Sequence, residues 1–215
     1  MAHVDVLVLA VKPQVMRKVC TEIAADVQAR RPLCVSIAAG ITLTHLQHWL
    51  GADIGIVRCM PNTPALVSKG ASGLFANTGV SASQRKLAAE LMSSVGLAVW
   101  LEQESDIDTV TALSGSGPAY FFLFMEAMQA AAIDMGLSAE LARALTYQTA
   151  AGAAELAQHS AEDTAQLRRN VTSPGGTTER AIESFEKGAL RELVQRSLQA
   201  ARLRSTELAA EFGKD

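Results

Sequence analysis

The chain has 215 residues, enough for one large or two modest domains with real cores. Apolar residues make up 49% and aromatics only 5%, a composition that suits a soluble protein of closely packed, alanine-rich helices. A net charge of −3, with basic residues dispersed and densest at Arg168-Arg169, gives no electrostatic basis for binding nucleic acid or an anionic membrane.

The first half alternates short β-rich runs with helical patterns. Val4 to Val11 is an apolar strand of the buried parallel kind; Asp5 interrupts it and no basic leader precedes it, so it does not read as a signal peptide. A helix follows from Gln14 to Ala29, with Val15, Val19, Ile23 and Val27 on one face. Leu33 to Ala38 is a strand, Leu43 to Leu50 a short helix, and Ile54 to Cys59 a third strand ending in Met60-Pro61-Asn62-Thr63-Pro64, where the prolines stop regular structure. Gly73 to Ala76 is a further short strand. Ser81 and Gln84 then form a capping box for a helix that turns Leu87, Leu91 and Val95 inward and ends at Gly96. Leu97 to Leu101 is the last strand. Strand and helix in alternation argue for an α/β sheet.

Beyond Glu102 the strands stop. Asp106–Leu113, Ala119–Met135, Ala139–His159, Ala161–Arg169, Thr177–Phe185 and Leu190–Glu211 all carry helical periodicity, the last with Leu193, Val194, Leu198, Ala201 and Leu208 near one face. The composition break predicts an α/β domain over 1–102 and an all-helical domain over 103–215. Pro118 to Leu137 is the longest apolar run, but Glu126 and Asp134 would be costly in lipid, so it is expected to be a buried core helix with no role in a membrane. Cys20, Cys34 and Cys59 are widely spaced, without metal or disulfide spacing, and read as buried, reduced thiols of a cytoplasmic protein. His45 and His48, one turn apart without an acidic or cysteine partner, read as surface or capping residues; no metal site is expected.

Val171 to Arg180 reads V-T-S-P-G-G-T-T-E-R. Two glycines before a helix start allow backbone amides to approach an anion, and Thr177 and Thr178 offer hydroxyls to a second polar atom. An ordinary capped loop would carry the same residues. Ala10-Val11-Lys12-Pro13 and Ala38-Ala39-Gly40 follow the first two strands, where ligands of open α/β sheets sit; taken alone, Lys12 reads as a solvated lysine. Gly115-Ser116-Gly117-Pro118 follows a helix and lacks a third glycine at Tyr120, so it reads as a tight helix–helix turn lining a pocket. The 215 residues hold no G-x-G-x-x-G, Walker loop, Ser-His-Asp set or paired carboxylates spaced for acid–base work.

In this order the loops resemble those of pyrroline-5-carboxylate reductases. The match is carried by Ala10-Val11-Lys12-Pro13, Ala38-Ala39-Gly40, Arg58 to Pro64, Leu113 to Tyr120, and Asn170 to Thr178. It runs from about Val4 to Glu211. The resemblance implies an incomplete Rossmann-type domain followed by an all-α dimerisation domain, with dimers often built into larger rings. It implies hydride transfer from NADPH or NADH to the C=N carbon of a cyclic imine, giving L-proline. Cofactor contacts are implied at Ala10, Val11, Lys12, Pro13, Ala38, Ala39, Asn62 and Glu104. Substrate contacts are implied at Asn170, Thr177 and Thr178, with Gly175 and Gly176 holding the loop. The residues agree with that chemistry: the Gly175-Gly176-Thr177 amides suit the substrate carboxylate, and the Thr178 hydroxyl suits the ring nitrogen. Thr178 is the candidate catalytic residue, with the proton passing through it or a water.

The family's first strand with its glycine-rich turn, and the βα unit after it, have no counterpart here. The chain is therefore expected to be a shortened reductase, with Val4 to Val11 at an open sheet edge and with weak or no dinucleotide binding. The alternative is a non-catalytic oligomerisation module derived from such a reductase. A hydroxy-acid dehydrogenase would need a catalytic lysine on a second-domain helix, and beyond residue 105 only Lys187 and Lys214 occur.

Overall fold

In the computed structural model, which describes residues Val4–Gly213, the segment up to Trp100 builds a five-stranded sheet. The strands are β1 (Val6–Leu9), β2 (Leu33–Ser36), β3 (Ile56–Met60), β4 (Gly70–Ala76) and β5 (Gly96–Trp100). They lie in sequence order, with β1, β2 and β3 mutually parallel, β4 antiparallel to β3, and β5 parallel to β4. Helices α1 (Pro13–Arg30), α2 (Leu43–Leu50) and α3 (Ala82–Ser93) connect them. A 3₁₀ turn, Thr63–Val67, begins at the Pro61–Pro64 stretch. β4 meets β5 through two glycines in register: Gly96 takes φ 144°, and a Cβ there would land on the Gly70 backbone.

One core layer joins Met16, Cys20 and Val27 of α1 to Leu46 and Leu50 of α2 and to Cys34 and Ile56 of the sheet. The other joins Ala88 and Met92 of α3 to Val35, Val57, Cys59 and Leu74. Two expected faces are corrected here. On α1, Val15 is exposed and the buried stripe runs through Met16, Cys20 and Val27. On α3, Leu87 and Leu91 are exposed, and Ala88 and Met92 face the sheet with Val95 beside them. The reason is the helical period: a strict fourth-residue row drifts around a 3.6-residue helix, whereas steps of four and three stay on one side.

The helical part holds α4 (Asp106–Val110), a π turn (Thr111–Gly115), α5 (Gly117–Asp134), α6 (Ala139–His159), α7 (Thr164–Asn170), α8 (Thr177–Lys187) and α9 (Leu190–Phe212). The change from strands to helices follows Trp100, but the packing divides elsewhere. One compact unit runs to Pro118 and resumes at Ser197; the other is Ala119–Arg196. In the first unit the last turns of α9 pack Leu208 and Phe212 against Gly40, and Ser205 Oγ donates to Asp108 Oδ1 at 2.7 Å. Leu193 and Val194, expected on the same face, are about half exposed.

In the second unit α5 is not a buried core helix. Phe121, Phe122 and Leu123 are each more than 60% exposed, and Leu141, Leu145 and Tyr147 of α6 are exposed as well. Apart from Glu126, Gln129 and Asp134 the helix is apolar, and its chain leaves most of that surface uncovered, Phe124 meeting the Phe185 ring of α8. Among the described residues no helix is long and apolar enough to cross a membrane.

Candidate active site

Because β1, β2 and β3 are parallel, the loops after them emerge at one edge of the sheet. Ala10, Val11 and Lys12 are exposed there, and Lys12 is the N-cap of α1 with Pro13 at the first turn. No side chain caps that helix, so its partial positive charge faces the edge. Ala38 and Ala39 are half-buried, and Gly40 takes φ 73°; a Cβ on Gly40 would stand 3.1 Å from two ring carbons of Phe212. Small residues and one exposed lysine leave this edge, where ligands of open α/β sheets sit, accessible to a flat ring.

Behind these loops lies a buried ion pair. Arg58, on β3, is 6% exposed, and its Nη1 donates to Glu104 Oε1 at 2.6 Å. The same oxygen accepts the Leu43 amide at 2.7 Å, so one carboxylate joins the start of α2 to β3. Thr42 caps α2, its hydroxyl taking the His45 amide while His45 Nδ1 accepts the Thr42 amide, both at 3.2 Å. The His45 ring stacks on Trp49. Burial, then the nearby Arg58 charge, hold His45 below its ordinary pKa, partly opposed by Glu104. His45 is thus a capping histidine. Among the described residues no group of three His, Cys, Asp or Glu side chains is placed to hold a metal.

Asn62, just past β3, uses both ends of its carboxamide. Oδ1 accepts the Ala71 amide at 2.8 Å, and Nδ2 donates to the Ser114 carbonyl at 2.9 Å. Ser114 lies in the π turn, closed by the Ser116 amide donating to the Thr111 carbonyl at 2.8 Å. A Cβ on Gly115 would stand 2.5 Å from Met60 Cε, so the turn lies directly on the end of β3.

In the other unit, Gly175 takes φ 73° and Gly176 is the N-cap of α8 without a side-chain cap. The Gly175 amide donates to Glu179 Oε2 at 2.6 Å, and the Gly176 amide to the Ser173 carbonyl at 3.0 Å. Both glycine amides expected to hold an anion are therefore engaged within the chain, which leaves the amides of Thr177 and Thr178 at the open helix start. Both threonines are exposed. Asn170 is tied through its carboxamide, receiving Gln166 Nε2 at 2.7 Å and donating to Glu162 Oε2 at 2.6 Å.

Residues 104–208 match the family model described as pyrroline-5-carboxylate reductase dimerisation. A pyrroline-5-carboxylate reductase of Pseudomonas aeruginosa is 54% identical over 213 residues, covering 99% of this chain and 78% of the relative. The chain belongs to the pyrroline-5-carboxylate reductase family. The structure of the reductase from Coxiella burnetii superposes with a TM-score of 0.91 at 49% identity, over 95% of this chain and 76% of that one. The Plasmodium falciparum reductase, solved with NADP bound, gives 0.88 at 34%, over 95% and 77%. Within this reductase chain, sequence reasoning placed Arg58 and Ser114 in matching stretches but gave neither a role. Arg58 left a signal, a charge inside an otherwise apolar strand; the bond to the Ser114 carbonyl left none.

Proposed function

We propose that this chain reduces the C=N bond of 1-pyrroline-5-carboxylate to give L-proline, using NADPH or NADH. The observation that carries the reading within the fold is the bend before α8, where a carboxylate oxygen, that of Glu179, already rests 2.6 Å from a glycine amide. With the Gly175 amide taken by Glu179, the bend offers a small amino-acid-like anion the Thr177 and Thr178 amides beside two exposed hydroxyls. Residues Ala10 to Pro13, Ala38 and Ala39 seat the dinucleotide, and Glu104 holds their surroundings through Arg58 and Leu43. The bound dinucleotide supplies the hydride. The chain's own part is to orient the reactants, exclude water and stabilise the nitrogen as it gains a proton. Gly175 and Gly176 shape the bend, the Thr177 amide meets the substrate carboxylate, Asn170 supports the loop from α7, and the Thr178 hydroxyl bonds the ring nitrogen.

The matched dimerisation region and the exposed aromatics of α5 support a homodimer; a ring of such dimers is what the family resemblance implies. Three free, buried cysteines agree with a reducing cytoplasm.

The test is NADPH oxidation at 340 nm with pyrroline-5-carboxylate. Thr178→Ala is expected to lower turnover about 10- to 100-fold, the lower reach of positioned proton transfer, while dinucleotide affinity by fluorescence titration stays near wild type. Unaltered turnover would remove the role given to that hydroxyl. Turnover only in a version extended by the family's first two βα units would mark a shortened reductase, and turnover in neither form would favour the oligomerisation module.

A further inference from the structure

We propose that Asn62 acts as a positioning residue for the hydride-transfer site, a brace that holds the Ser114–Gly117 turn against the carboxyl edge of the sheet; the proposal rests on the reductase reading above. The resemblance implied a cofactor contact for this side chain. Its geometry assigns it a different task.

A primary carboxamide has one strong acceptor oxygen and a two-proton donor. In Asn62 the oxygen takes the amide of Ala71, the second residue of β4, and the nitrogen reaches the Ser114 carbonyl, 52 residues further on. The two bonds link the end of β3, the start of β4 and the π turn. π turns carry one residue more than the α-helix accommodates, are rare, and occur mostly as single turns, often at functional sites. Here the turn is held by the Asn62 nitrogen on the Ser114 carbonyl and the Met60 side chain against Gly115. Both come from the exit of β3, the edge where Ala10–Pro13 and Ala38–Gly40 also emerge. Release of the brace frees the turn to relax toward α-helical spacing and shifts Ser114 to Gly117 away from that edge.

The discriminating variant is Asn62→Asp. It keeps an oxygen for the Ala71 amide, but its ionised carboxylate cannot donate and sets a negative charge against the Ser114 carbonyl. When the carboxyl is protonated, its second oxygen again carries a donor for that carbonyl, and a partly buried carboxyl facing a carbonyl is pushed upward from the usual carboxylate range. The variant therefore breaks one arm of the brace reversibly with pH.

Hydrogen exchange by mass spectrometry on the whole chain, variant against wild type at each pH, reads the brace without any turnover. Exchange in peptides spanning 111–117 should be at least 10-fold faster in Asn62→Asp at pH 8 and approach wild type near pH 5, with β2 and β3 unchanged throughout. Steady-state assays read its purpose. At pH 8 turnover should fall about 10- to 100-fold, the cost of a misplacement of an ångström or less, with KM for NADPH within about threefold. Turnover relative to wild type should recover as pH falls. Unchanged exchange at 111–117 overturns the brace. Faster exchange with wild-type turnover, or a loss confined to KM for NADPH, overturns the positioning role and returns Asn62 to scaffold or cofactor contact. Without turnover in the wild-type chain the positioning role falls with the reductase reading, while exchange at 111–117 still tests the brace by itself.

Discussion

His45 accepts the Thr42 amide through Nδ1, so the capping box at the start of α2 needs the neutral ring. Burial and the Arg58 charge lower its pKa below the ordinary 6.5, so the unfolded chain takes up this proton at a higher pH than the fold does. The stability tied to the neutral ring is complete above pH 6.5 and drains away as pH falls through that value toward the folded pKa. His45→Gln keeps an acceptor of similar reach, as Gln84 does for Ser81, without a titrating group. Urea unfolding at pH 7.5 and 5.5 should show a larger loss for wild type than for the glutamine variant; equal losses would refute the linkage. The buried thiols behave in the opposite sense. Burial pushes Cys20 up to about 11 and Cys34 and Cys59 up to about 12, which keeps them protonated and unreactive. Their burial was legible from sequence because unpaired cysteines are small apolar residues. The Arg58–Glu104 pair was not, since 46 positions separate its members and only the folded sheet brings them together.

α3 shows what periodicity can and cannot tell at the level of an element. Its capping box forms as its residues specify, with Ser81 Oγ accepting the Gln84 amide and Gln84 Oε1 accepting the Ser81 amide. Capping is local chemistry, four residues long, and so it is readable. Which face turns inward is decided by the sheet: Ala88 is small enough to let the helix lie close, and Met92, one turn on, fills the core beside it, while Leu87 and Leu91 stay exposed. Met92→Ala should therefore cost about 2–5 kcal/mol in denaturant unfolding and Leu91→Ala under about 1 kcal/mol. Reversal of that order would restore the leucine face. The element boundaries were otherwise legible to within a few residues, as the run of α2 from Leu43 to Leu50 illustrates. β4 was the exception, reaching back to Gly70 through residues too small to read as strand.

For the whole molecule, the largest departure from expectation is α5. An apolar run bounded by glycines reads alike whether its own chain or another copy covers it, and periodicity carries no information about the choice. The exposed Phe121, Phe122 and Leu123 lie in a region matching a dimerisation domain, which agrees with the homodimer proposed above. Melting temperature should then rise with protein concentration, as it does wherever folding and assembly are linked. Phe122→Glu should shift the light-scattering mass to that of one chain. A wild-type protein that is already monomeric at micromolar concentration would contradict this. The contact of Phe212 with Gly40 carries a consequence of another sort. Two stretches 172 positions apart meet at one point, so a substitution at either is constrained by the other. A natural variant at the tail can only be judged by knowing which residue its bearer keeps at position 40.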